Sequence, residues 1–101
     1  MTTAQKARDP ITPGEILVTE FLEPLGITQY RLAQATGLSQ TRISEIVRGK
    51  RAITTDTALR LSKALGVDNP FWINIQTDYN LEVERDLHSD ELAKVIVLVA
   101  R

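Results

Sequence analysis

There is no cysteine in this chain of 101 residues, and histidine, tryptophan and methionine occur once each. Without thiols there is no disulfide framework, no thiolate metal site and no cysteine nucleophile, a composition suited to a reducing cytoplasm rather than to a small secreted domain. The single histidine, His88, stands between Asp86 and Asp90 in a charged stretch, with no second imidazole to complete a transition-metal site. Long apolar runs are missing too. The longest, Val95 to Ala100, is far too short to span a bilayer, and the polar stretch from Met1 to Pro10 has no signal-peptide core. Nothing matches a phosphate-cradling glycine loop or a nucleophile elbow. Glu82, Glu84 and Asp86 alternate as carboxylates around a cation can, yet a solvated acidic stretch accounts for them. The expectation is a cytoplasmic protein with no catalytic residues, no metal or other cofactor, no membrane contact and no small-molecule ligand.

What is present suffices for one domain. A chain of this length buries roughly 65% of its unfolded surface, enough for a single core and too little for two. The net charge of -1 conceals a segregation. Between residues 28 and 63 seven cations (Arg31, Arg42, Arg48, Lys50, Arg51, Arg60 and Lys63) face only Glu45 and Asp56, and the rest of the chain carries a compensating excess of acids. Screening limits surface electrostatics to about 8 Å at physiological salt, so a polyanion meets the basic centre rather than the average.

Glycine, proline and hydroxyl residues punctuate the chain into helices. Residues 1–11 lack periodicity and are expected to form a mobile arm. Thr12-Pro13-Gly14-Glu15 reads as a capping box with proline at the first helical position, opening a helix on which Ile16, Leu17, Phe21 and Leu25 recur at helical spacing. Pro24 disfavours helical geometry at Glu23, and Gly26 supplies a stop. Thr28 caps a second helix over Gln29 to Thr36, with Leu32, Ala33 and Ala35 as its apolar face, and Gly37 ends it. Ser39 caps a third helix whose inner face is Ile43, Ile46 and Val47 and which Gly49 closes. The short connection Gly37-Leu38-Ser39 joins these two helices as in a helix-turn-helix. Thr54, Thr55 and Asp56 open a fourth helix with Ala58, Leu61 and Leu65 inward and Gly66 at its exit. Asn69 as cap and Pro70 at the first position start a fifth, with an aromatic-rich stripe of Phe71, Trp72, Ile75 and Tyr79 that is read as core packing rather than a ligand pocket. The ordered domain is thus expected over residues 12–81, followed by an exposed acidic linker over 82–92. Residues 93–101 form an apolar segment, Val95 to Val99, that suits a strand, or equally a terminal helix started by Ser89 with Asp90 and Glu91.

The third helix has the chemistry of a DNA reader. Gln40, Thr41, Ser44 and Glu45 project from its outward face, with Arg42 alongside. Glutamine pairs bidentately with adenine and arginine with guanine, threonine meets the thymine methyl, and glutamate accepts from cytosine. Gln29 starts the preceding helix, and Arg48, Lys50 and Arg51 lie where the chain leaves the groove. These are the candidates for phosphate contacts, so positioning and reading fall to different residues.

The span T-Q-Y-R-L-A-Q-A-T-G-L-S-Q-T-R-I-S-E-I-V-R-G-K-R, residues 28 to 51, resembles the helix-turn-helix of the phage-repressor-like (Cro/C1, XRE) superfamily. P-G-E-I-L at 13 to 17, E-F-L-E-P-L-G at 20 to 26, I-T-T-D-T-A-L-R-L at 53 to 61 and F-W-I-N-I-Q at 71 to 76 extend the likeness to the HigA-type antitoxins of bacterial toxin-antitoxin modules. The resemblance implies an all-α, five-helix, lambda-repressor-like domain with a short C-terminal extension. It further implies a homodimer that binds a palindromic operator on double-stranded DNA in its own promoter and neutralises a HigB-type ribonuclease toxin, in the bacterial cytoplasm and on the nucleoid when DNA-bound. By the same resemblance, base-facing positions fall on Gln40, Thr41, Ser44 and Glu45, and phosphate-facing positions on Gln29, Ser39, Arg48, Lys50 and Arg51. The alternatives are a solitary XRE-type regulator without a toxin, and a protein-interaction module that has lost DNA binding. The apolar segment after residue 92 is exposed in a closed five-helix domain, and a second protomer, the toxin or the chain's own domain can cover it.

Overall fold

The computed structural model describes residues 9–100, so most of the expected N-terminal arm lies outside the described residues. The helix α1 starts at Pro13 behind the expected capping box: Thr12 Oγ1 accepts from the Glu15 backbone N–H at 3.1 Å, and Glu15 Oε1 accepts from the Thr12 N–H at 3.0 Å. It consists of a regular piece (Pro13–Leu17), a π-helical turn (Val18–Leu22) and a final turn (Glu23–Leu25). Here the expected break at Glu23 does not occur, for Glu23 is helical with φ -65° and ψ -52°. The reason is the π turn. The Glu23 N–H reaches back five residues to the Val18 carbonyl, and this wider register accommodates a proline that lacks an N–H and crowds the preceding turn.

Two short helices follow, α2 (Gln29–Thr36) and α3 (Gln40–Val47), capped by the hydroxyls of Thr28 and Ser39, each 3.0 Å from the backbone N–H three residues on. Then come α4 (Thr55–Leu65), capped by Thr54, and α5 (Phe71–Leu87). The start of α5 differs from expectation: Pro70 occupies the cap position with no side-chain cap bond, and the Phe71 N–H is taken by the Asp68 carbonyl at 3.0 Å. The acidic stretch is not an irregular linker. Helix α5 runs on to Leu87, and a short α6 (Ser89–Ala93) follows directly. Glutamate, arginine and leucine are good helix formers, and no glycine or proline interrupts residues 71–93. His88 bridges the two helices, its ring nitrogens 3.3 Å from Glu84 and 2.8 Å from Glu91. The terminal helix that Ser89, Asp90 and Glu91 can start is present but ends at Ala93, and Val95 to Ala100 belong to neither helix nor strand.

Helix α1 packs on α3 and α5, α2 on α3 and α4, and α4 on α5. Every one of α1 to α5 contributes to one core: Leu17 and Leu22, Leu32 and Ala33, Ile43 and Ile46, Ala58 and Leu61, and Trp72, with Ile53 from the loop before α4. Trp72 is wholly buried against Phe21 and Phe71, at ring-centroid separations of 5.2 and 5.3 Å, which bears out the core reading of Trp72 and Phe71, whereas Tyr79 borders surface depressions. On α2 the inward residue is Thr36 rather than the expected Ala35, because its hydroxyl returns a hydrogen bond to the Leu32 carbonyl at 2.7 Å and so carries no unpaired polar group into the core. Leu25, at the end of the α1 stripe, is 60% exposed. The radius of gyration is 16.5 Å, against about 13 Å for a compact chain of this length, because the end of α5, α6 and the tail project from the core.

At one point two backbones touch. A Cβ on Gly14 would land on the carbonyl oxygens of Ile46 and Val47, so glycine is what lets the first turn of α1 lie against the end of α3. Gly14→Ala is therefore expected to lower the unfolding free energy by about 1 to 3 kcal/mol, while Leu25→Ala changes it by about 0.5 kcal/mol or less. Denaturant midpoints of the two variants check this.

Candidate nucleic-acid interface

Helix α3 is fixed from behind. Ile43 and Ile46 are buried to within 1% of their surface, and with the inner face thus set, the residues between them are turned away from the core. The turn before it requires Gly37, whose φ of 75° lies in the left-handed region. Gln40 and Thr41 are exposed, and Ser44 half-buried. Together with Gln29 from the start of α2 and Arg48 from the end of α3 they line a single shallow groove. Three of the candidate base readers and two of the candidate phosphate ligands are therefore brought together by the fold. Ser39 stands at the helix start with its oxygen accepting from the Arg42 N–H, which leaves its own O–H free to donate.

The other candidates are placed differently. Glu45 is held by Arg51, Nε to Oε1 at 2.7 Å, so the carboxylate proposed as a cytosine reader and the guanidinium proposed as a phosphate ligand engage each other. The pair is partly exposed and contributes little to stability. Its effect is to set the Arg51 charge against the Glu45 carboxylate. Lys50 and Arg51 do not line the α3 groove but border a separate depression with Thr12, Gln76 and Tyr79. Arg42 is half-buried and lines neither. His88, paired with two glutamates, is remote from both sets in the chain.

Two positioning residues escape a reading of the sequence. Arg60 Nη1 donates to the Thr36 carbonyl at 2.8 Å while its Nε holds Asp56 Oδ2 at 3.0 Å, so a cation from α4 caps the C-terminal end of α2 just where the chain turns into α3. Gln76, 5% exposed, accepts the Ile53 N–H at 2.8 Å and donates to Asn80 Oδ1 at 2.9 Å, which ties the loop behind α3 to α5. The Asp56 and Arg60 pair is legible at four-residue spacing, but the bond to Thr36 is not. For Gln76 the signal was a polar side chain four residues beyond Trp72, on the buried stripe of its helix, where a partner is obligatory.

An exposed polar helix held across a glycine turn by a capped partner helix defines a helix-turn-helix domain. Residues 18–68 match the family model described as Helix-turn-helix. Virulence-associated protein I of Dichelobacter nodosus is 50% identical over 80 residues, 78% of this chain and 74% of that protein. Antitoxin HigA-1 of Vibrio cholerae serotype O1 is 39% identical over 84 residues, 83% of this chain and 79% of that protein. Among solved structures, Pseudomonas aeruginosa antitoxin HigA with the higBA promoter superposes with a TM-score of 0.82 at 34% identity, covering 89% of this chain and 99% of that one. The chain belongs to the helix-turn-helix family, among its HigA-type antitoxins. The all-α lambda-repressor-like fold expected from the sequence is the one found. Among the described residues no helix is long and apolar enough to cross a membrane.

Two variants separate the parts of the interface. Gln76→Leu leaves the buried Ile53 N–H without a partner and is expected to cost about 1 to 3 kcal/mol of stability, read from chemical denaturation. Glu45→Gln releases Arg51 and is expected to steepen the log-log salt dependence of binding to random DNA by about one unit, read by titration at several salt concentrations.

Proposed function

We propose that this chain is a repressor of its own operon and the antitoxin of a HigB-type ribonuclease, acting as a homodimer on a palindromic operator in the bacterial cytoplasm. The observation that carries the DNA-binding reading is the convergence of Gln29, Gln40, Thr41, Ser44 and Arg48 on one groove, in a chain that superposes on an antitoxin solved with its promoter. An α-helix fits the major groove, and a dimer sets two α3 helices about 34 Å apart, one in each half-site. Gln40, Thr41 and Ser44 are the base readers. Arg42 and Glu45 flank them. Gln29, Ser39, Arg48, Lys50 and Arg51 are the phosphate ligands, and because phosphate contacts carry no sequence information their role is register and affinity.

The dimer and toxin contacts need surface beyond the α3 groove. Val95 to Val99 are between 63% and 90% exposed, a run of five apolar side chains that a solitary chain leaves in water. Residues 93–100 pair with a second protomer or with the toxin in this reading. Support comes from that exposure and from the family relationship to antitoxins.

Fluorescence anisotropy with DNA from upstream of the gene and with a scrambled duplex tests the DNA-binding part. Gln40→Ala is expected to cost about 1 to 3 kcal/mol on the operator and nothing on the scrambled duplex, while Arg48→Ala weakens both alike and flattens the salt slope by about one unit. Equal loss on both duplexes for Gln40→Ala would place the readout elsewhere. A chain ending before Ser89 is expected to lose the dimer or the toxin by light scattering and co-purification; retention of both removes the tail from the proposal.

A further inference from the structure

A second surface differs from the α3 groove in every lining residue. Between the segment Asp9–Ile11 and α5 runs an open groove whose apolar lining includes Ile11, Ile16 and Ile75, and whose acids are Asp9, Asp78 and Glu82. Asp78 and Glu82 also border an adjoining depression along α5, where Leu81 and Asp86 extend the same mixed character and Arg85 is the sole cation on either lining. Among the described residues, no cation pairs with Asp9, Asp78 or Glu82. Ile11 and Leu81 are each about half exposed, at 54% and 49%.

The sign of the rim selects the occupant. DNA and anionic membranes are repelled by these acids. A second copy docking on the same patch in a two-fold dimer would bring acids against acids, since an isologous interface meets itself. A protein with aliphatic anchors and lysine or arginine around them is complementary on both counts. A ribonuclease must attract RNA and so carries a cationic surface of its own. We infer that the groove between Asp9–Ile11 and α5 is the docking site for the HigB-type toxin, a basic protein, with Asp78 and Glu82 meeting its cations and the isoleucines its apolar anchors. The inference rests on the antitoxin reading above and adds the surface on which it acts.

The test uses the full chain and the HigB-type protein encoded beside its gene, with affinity measured by calorimetry near physiological salt. Wild type is compared with the exposed charge reversal Asp78→Lys with Glu82→Lys, and with Gln40→Ala as a variant of the DNA face. The expected result is toxin binding at least about tenfold weaker for the reversal, unchanged for Gln40→Ala, with the reversal's operator affinity retained as proof of folding. Equal toxin affinity in all three overturns the groove assignment and leaves the antitoxin reading standing. A reversal that alters oligomeric state but not toxin affinity assigns the groove to a second copy and likewise overturns it. No toxin binding by wild type overturns both.

Discussion

An eight-residue helix does not persist in water on its own, because too few hydrogen bonds offset the cost of nucleating it. Helix α3 is such a helix, and the groove it lines with Gln29 and Arg48 depends on what grips it from behind. The grip has two components. Ile43 and Ile46 are sunk into the common core, and the first turn of α1 presses against the carbonyls of Ile46 and Val47 through the space that only Gly14 leaves. The first fixes the rotation of α3 about its axis, and the second fixes its distance from α1.

Polar anchors then complete what packing begins. Helix α2 ends at a turn with exposed carbonyls, and Arg60 reaches across from α4 to the Thr36 carbonyl. In the loop that leaves α3, Ile53 is sunk into the core, and the Gln76 side chain takes its backbone N–H. Each anchor binds a segment flanking α3 to a longer helix, so the orientation of α3 relative to the segments before and after it follows from α4 and α5. Glu45 and Arg51 temper the charge between them. A cation restrained in this way contributes less to non-specific attraction, which leaves more of the discrimination to groups that touch bases.

The charge segregation seen along the chain becomes a spatial division. The cations cluster around α2, α3 and the following loop, whereas the extension of α5 and the groove beside Asp9 present acids. One small domain thereby offers a surface suited to a polyanion and another suited to a polycation, with the apolar tail projecting beyond the acidic end. Separate surfaces allow a DNA contact and a protein contact to coexist on one chain without competing for the same residues.

The limits of each helix up to α4 were legible in local chemistry, because capping hydroxyls, proline at Pro13 and the glycines at helix ends act within a few residues of where they stand. So were the inward isoleucines of α3 and, from them, the outward Gln40, Thr41 and Ser44, since rotation about a helix is set by spacing alone. Tertiary structure decided the rest. A π turn neutralised the break that Pro24 announces. Thr36 displaced Ala35 in the core through a hydrogen bond to its own helix. The acidic stretch became helix because nothing in it stops α5, although its charge density reads as an exposed linker. Above all, Arg51 was paired with Glu45, and Arg60 and Gln76 were enlisted to hold the turn and the loop. These are pairings between residues up to 24 positions apart. Local pattern carries the periodicity of one element, but the partner of a long side chain is determined only when the packing of different elements brings a donor and an acceptor within reach.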